Sequence, residues 1–262
     1  MFISIAANFA IALVALDSPP PVKTVTFETA DGVTIEADYL APHVKGDEKA
    51  PVVILIHMYP ADRKSWFPFA YALQSGEPKC AVLAYDIRGQ GGSLEPRDRK
   101  LKAMYDRRDP ALFRDAWKDV EAAKRWLAKQ PNCDVSRIAL IGASIGCSIS
   151  LDYGGRDRDV KAIVCLSPGT DYFGVDSISH IKNCGNVAIL LMSPEGEFGP
   201  VRALVEASVG KTKGMMFPGG RERHGTHMLA KDYSEHSEVQ KNILAHVEEA
   251  FQTSDRKPET AK

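Results

Sequence analysis

The sequence predicts an α/β domain built on an open, mostly parallel sheet with helices on both faces. Three observations predict it. Short apolar runs such as "PVVILIH", "CAVLAYD" and "RIALIGA" show no alternation, as strands buried on both faces require. Segments of helical periodicity separate these runs, which makes the connections parallel crossovers. Two alternating runs, Val22–Thr29 and Val33–Leu40, flank Asp31-Gly32 and open the series as a hairpin.

The elements follow in order. A helical segment is expected over about Arg63 to Gln74, between "PVVILIH" and "CAVLAYD". The stretch "EPRDRKLKAMYDRRDP" interleaves bases with acids and reads as a solvated loop. Asp109-Pro110 then starts a helix, with Leu112, Ala116, Val120, Ala123 and Leu127 at three- and four-residue steps. "RIALIGA" is the third buried strand and "SIGCSISLDYGG" its helix. "VKAIVCLS", "NVAILLMS" and "KGMMFPGG" are three further strands, and Glu235 to Phe251 forms the last helix. One domain is expected over 22–252, with residues 253–262 a solvated tail. Residues 1–20 stand apart. They are nearly all apolar from Phe2 to Leu16, too short to span a bilayer comfortably, and contain Ala10-Ile11-Ala12 as a cleavage pattern. This predicts a secretory signal and export to the periplasm or beyond, although no Lys or Arg precedes the apolar run. The alternatives are a buried N-terminal segment or a misassigned start, with a cytoplasmic location if the segment is not a signal.

Composition narrows the function classes. The chain has 262 residues, 44% of them hydrophobic, and a formal net charge of −1, so no basic excess exists to neutralise nucleic-acid phosphates. Its five cysteines are odd in number and irregular in spacing, which supports neither a disulfide framework nor a zinc site. No cofactor, metal or integral membrane domain is expected. The expected partner is a small-molecule or carrier-bound ester.

The chemistry centres on Gly142-Ala143-Ser144-Ile145-Gly146. This Gly-x-Ser-x-Gly pattern lies between a strand and a helix, the context in which a serine on a sharp turn becomes a nucleophile rather than a helix cap. Glycines are needed on both sides because the turn brings its flanks together. The turn presents Oγ beside a helix N-terminus, where the amide of Ile145 can donate to an oxyanion. A serine needs a base. Of the seven histidines, His224 and His227 follow the last strand, at the carboxyl edge where such sheets bind ligands. His224 precedes Gly225 and is the better base; His227 is expected to face the next helix. His-Gly-Thr-His lacks further ligands for a metal. The acid must lie between Ser144 and His224 near a strand's carboxyl end, which leaves Asp171, Glu195 and Glu197. Glu195, nearer its strand, is favoured slightly. His57 ends the first buried strand; the residues after it supply the second oxyanion donor, Tyr59 first and Met58 second. Asp86 and Arg88 are read as braces of the adjoining turn.

Taken together, "HMYPADRKSW", "YDIRGQGGS", "GASIG", "LSPGTDY" and "HGTHML" resemble the α/β-hydrolase family, in particular the small lid-less bacterial esterases and dienelactone-hydrolase-like proteins. The resemblance covers about Val22 to Phe251. It implies an eight-stranded sheet, Ser144 as nucleophile, His224 as base, and the Ile145 and Tyr59 amides as oxyanion donors. Two departures stand out. His57-Met58 replaces a common His-Gly, which narrows the oxyanion approach. The usual acid position, three residues past Ser193, holds Gly196 between Glu195 and Glu197. The implied reaction is hydrolysis of carboxylic esters through a Ser-His-acid triad and an acyl-enzyme. Short-chain acyl esters, or an acyl group on a bulky carrier, suit the absence of a long insertion between the sixth and seventh strands. A non-catalytic binding protein of the same fold, or a peptidase or lactone hydrolase, are the rival readings.

Overall fold

A computed structural model describes residues 21–77, 79–94 and 99–255. The apolar segment 1–20 and residues 256–262 of the tail lie outside the described residues, so the expectations about a signal and most of the tail concern segments beyond them. Eight strands form one sheet: β1 (Lys23–Glu28), β2 (Thr34–Leu40), β3 (Ala50–Ile56), β4 (Ala81–Tyr85), β5 (Cys133–Ala143), β6 (Val160–Leu166), β7 (Ala188–Pro194) and β8 (Thr212–Phe217). Their spatial order is β1-β2-β4-β3-β5-β6-β7-β8. β1 pairs antiparallel with β2, and β2 with β4; the remaining pairs are parallel. This is the α/β-hydrolase architecture expected from the sequence.

Side-chain alternation divides the core between the two faces of the sheet. In β3, Val52, Ile54 and Ile56 join one cluster, while Val53 and Leu55 join the other. Helices α4 (Trp117–Leu127), α5 (Ile145–Gly154) and α7 (Phe198–Ala207) cover the first face, through Val120, Leu127, Ile149, Val201 and Leu204. Helices α1 (Phe69–Ser75) and α8 (His236–Asp255) cover the second, through Phe69, Leu73, Val239, Ile243 and Val247. All seven residues of β3 are buried, which is why that run shows no polar alternation in the sequence.

Three helical expectations need correction. The charged stretch is not simply a loop: Arg99–Asp106 forms α2, and Tyr105 is buried with Leu101 and Met104 packed beside it. Those three residues lie on one helix face at three- and four-residue spacing, and the surrounding charges hide the stripe. The segment from Arg63 is not one helix. A 3₁₀ turn, Arg63–Trp66, precedes α1, and Pro68 stands between them without the N–H that a continuous helix needs. The helix starting at Asp109-Pro110 breaks into α3 (Pro110–Arg114) and α4. Asp109 caps α3 by accepting from the Ala111 amide at 2.9 Å, with proline in the first turn where its missing N–H costs nothing.

Two buried ion-pair clusters brace the loops after β3 and β4. Arg63, nearly buried, pairs with Asp86 and reaches Glu36 at 2.6 Å and Asp38 at 3.1 Å. Arg88 donates through its amide and Nε to Asp119 at 3.1 and 2.8 Å, and through Nη1 and Nη2 to Asp31 at 2.9 and 3.2 Å. The loop after β4, helix α4 and the β1–β2 turn are thereby tied to one guanidinium. Burial pushes the Asp119 carboxyl up to about 6, against the pull of Arg88, so the carboxylate is ionised at neutral pH. Asp119→Ala leaves the Arg88 charge buried with half its partners, and a loss of about 3–5 kcal/mol is expected. Asp31→Ala, at a partly exposed position, is expected to cost less; urea unfolding midpoints of the two variants check the order.

Candidate active site

The end of β5 meets the start of α5 at Ser144, whose φ of 53° and ψ of −118° are strained for a residue with a Cβ. Backbone bonds hold the strain in place: the Ser144 amide donates to the Leu166 carbonyl at 2.9 Å, and its own carbonyl accepts from Cys147 at 2.9 Å. The glycine requirement is steric. A Cβ on Gly142 would stand 2.3 Å from the Gly146 carbonyl oxygen, and one on Gly146 would stand 2.2 Å from that of Ile56. Ile145 is the first residue of α5, so its amide has no intrahelical acceptor and projects beside the serine.

His224 lies in the loop after β8, at the same edge. Its Nδ1 is 2.7 Å from Oε2 of Glu197, with both side chains mostly buried. With the Nδ1 proton directed at Glu197, the neutral ring carries its lone pair on Nε2, the arrangement a general base needs. The loop is seated by Gly225, whose φ is +57° and whose amide donates to Ser167 Oγ at 2.9 Å. A Cβ on Gly225 would be 2.7 Å from Met58 Sδ and 3.4 Å from Ala143 Cβ, so this loop lies directly against the serine turn.

Of the three acids proposed from sequence, the structure brings only Glu197 to His224. Glu195, the one favoured, is exposed. The reason is local: Glu195–Glu197 is a 3₁₀ turn rather than an extended loop, and the Gly196 amide bonds the Gly219 carbonyl at 3.1 Å. That bond pulls the turn toward the base loop and swings Glu197 inward. Asp171 is exposed and accepts from the Gly174 amide at 2.9 Å, as a turn residue does. His227 is exposed.

His57 is wholly buried, and both ring nitrogens are engaged by backbone. Nε2 accepts from the Ile87 amide at 3.0 Å, so Nδ1 carries the proton and donates to the Met58 carbonyl at 2.9 Å. Burial holds its pKa below the usual histidine value, so the ring is neutral. It thus ties the end of β3 to the end of β4. The Met58 side chain packs beneath the His224 loop, with Thr226 Oγ1 at 3.7 Å from its sulfur. Tyr59 places its ring 5.0 Å from Tyr105 and 5.4 Å from Phe173, under the Arg108 guanidinium at 4.8 Å.

One neighbour of the serine was missed. Tyr172 lies beside the Ser144 side chain and sets its ring edge-on to His224, with centroids 6.4 Å apart. Its motif, "LSPGTDY", is distinctive in the sequence, but no residue type in it signals that the phenol, and not the neighbouring Asp171 carboxylate, faces the serine. Among the described residues no hydrogen bond joins Ser144 Oγ to His224, a separation that free hydrolase sites commonly close on binding substrate.

Residues 17–179 match the model of the acetyl xylan esterase (AXE1) family. The chain belongs to this family. A curated relative, "Hydrolase LUC6" from Fusarium sp, is 31% identical over 142 residues, which are 52% of this chain. The chain spans 30% of that relative's length. Among solved structures, the α/β hydrolase GrgF from Penicillium sp. sh18 superposes with a TM-score of 0.71 at 15% identity, covering 89% of this chain and 100% of that one. Acetyl xylan esterase 1 from Thermoanaerobacterium sp. JW/SL YS485 superposes with a TM-score of 0.65 at 17% identity, covering 86% and 83%. The family assignment bears out the expected α/β-hydrolase resemblance.

The glycine geometry yields a structural test. Gly146→Ala must move the β3 backbone, and a loss of at least about 3 kcal/mol is expected. Gly199→Ala, with open space at its Cβ, is expected to be neutral or mildly stabilising. Denaturant midpoints of the two variants decide this.

Proposed function

We propose that this member of the family hydrolyses carboxylic esters through Ser144, His224 and Glu197. The observation that carries the reading is the strained Ser144 at the β5–α5 turn, with the Glu197–His224 pair at the same edge of the sheet. In this reading the serine hydroxyl passes its proton to His224 as it attacks the acyl carbon. Glu197 keeps the imidazole in the productive tautomer and stabilises the imidazolium. The amides of Ile145 and Tyr59 receive the oxyanion. His224 then protonates the leaving alcohol and later activates the water that frees the acid.

The connection between β6 and β7 supports a substrate with a small acyl group. Residues 167–187 hold only a two-strand ribbon (Asp171–Tyr172 with Val175–Asp176) and the short helix α6 (Ser177–Ile181). No covering domain stands there, so a bulky alcohol carrying a short acyl chain can approach from solvent. Acetylated carbohydrate, the substrate named for the family, has that shape.

Ser144→Ala is expected to abolish turnover of short 4-nitrophenyl esters, by a factor on the order of 10⁶, and to prevent labelling by a fluorophosphonate. Glu197→Gln should lose about 10⁴ in kcat, against little change for Glu195→Gln and His227→Ala. Steady-state kinetics on the four purified variants test the assignment. Near wild-type turnover in Glu197→Gln would remove the acid from it, and an unlabelled wild-type chain would favour a binding role.

A further inference from the structure

Tyr172 is placed where the reading above leaves a gap. Its phenol lies beside the Ser144 side chain, and its O–H points to the Ser167 carbonyl at 3.4 Å, too long to hold it firmly. The loop that carries it is strained for the purpose. Ser167 and Phe173, both at φ 53°, adopt left-handed backbone, and Gly174 follows at 78°. A Cβ on Gly169 would stand 2.6 Å from the Tyr172 ring, so only glycine there leaves the ring its seat. The ring itself is fixed edge-on to His224, with Phe173 packed beside it at 6.2 Å.

Sheet order decides which part of a bound ester this phenol meets. Ser144 ends β5. The segment after β3, which carries Tyr59, lies on one side of it, and the loop after β6, which carries Tyr172, lies on the other. A tetrahedral carbon on Ser144 Oγ that turns its oxyanion toward the Ile145 and Tyr59 amides turns another substituent toward Tyr172 and His224. His224 must protonate the leaving oxygen, so that substituent is the leaving group.

We propose that Tyr172 is a catalytic residue of the leaving-group side: its phenol O–H donates a hydrogen bond to the ester oxygen as the C–O bond breaks, which fits the site to esters of alkyl and sugar alcohols. This rests on the serine-esterase reading. In the step, the Ser144 Oγ–C bond forms and the C–OR bond breaks. The serine proton passes to His224 and then to the departing oxygen. Tyr172 keeps its own proton throughout. Burial pushes the phenol up to about 12, so it remains a donor across the neutral range.

The test compares two esters of one acid. An alkyl alkoxide is a poor leaving group and needs a donor; 4-nitrophenolate needs little help. Tyr172→Phe removes only the hydroxyl. Its kcat/KM for ethyl butyrate is expected to fall about tenfold or more beyond its fall for 4-nitrophenyl butyrate. Gly169→Ala, which displaces the ring without touching Ser144, should give the same split and serves if the first variant folds poorly. Equal losses on both esters, as a purely structural tyrosine would give, or no loss on either, overturn the proposal while leaving the esterase reading intact. A wild-type chain that hydrolyses neither ester overturns both.

Discussion

The rest of the site depends on one close approach, that of Gly146 to the carbonyls of Ile56 and His57. Because α5 can pack this tightly on β3, β5 can end in a turn that holds Ser144 at φ 53°. The start of α5 thereby lies directly against the end of β3. His57 secures the other half of the contact by spending both ring nitrogens on backbone. The packing energy of the two core faces sustains the strain at the serine; the strain is affordable only because the sheet beneath it is fully buried.

Outward from that contact, the site is assembled by backbone bonds between loops. Ser144 is tied to β6 through Leu166, and Ser167 to β7 through Met192. Gly225 is tied to Ser167, and Gly196 to Gly219. Each loop after a strand is thus fastened to its neighbour, and the side chains inherit their positions. The Arg88 cluster repeats the principle with charges, holding three separate segments to one buried guanidinium.

Much of this was legible in the sequence, and the parts that were not share a cause. Uninterrupted apolar runs identified the central strands because burial on both faces leaves no room for polar alternation. Ser144, His224 and Gly225 were legible because a Gly-x-Ser-x-Gly turn and the carboxyl edge of the sheet restrict residue type. Helix α2 was hidden because its stripe of Leu101, Met104 and Tyr105 is narrow and charges fill the other positions. The choice between Glu195 and Glu197 could not be read, since it turns on a hydrogen bond between Gly196 and Gly219, residues far apart in the chain and without side chains to signal it. Tyr172 was obscured for a related reason: its place beside Ser144 follows from left-handed backbone at Ser167 and Phe173, which those residue types do not announce.

The bond between Gly196 and Gly219 has a consequence for how such a site can change over generations. It fixes the separation of the two loops independently of which side chain spans them. A carboxylate can therefore move one place along the turn, provided its stem lengthens to match. In this chain the glycine occupies the position where an aspartate is usual, and Glu197, one residue later and one methylene longer, makes the contact at 2.7 Å. The serine and the histidine are anchored by backbone that admits few alternatives. The Glu197 carboxylate reaches His224 at a distance set by the spacing of the two loops.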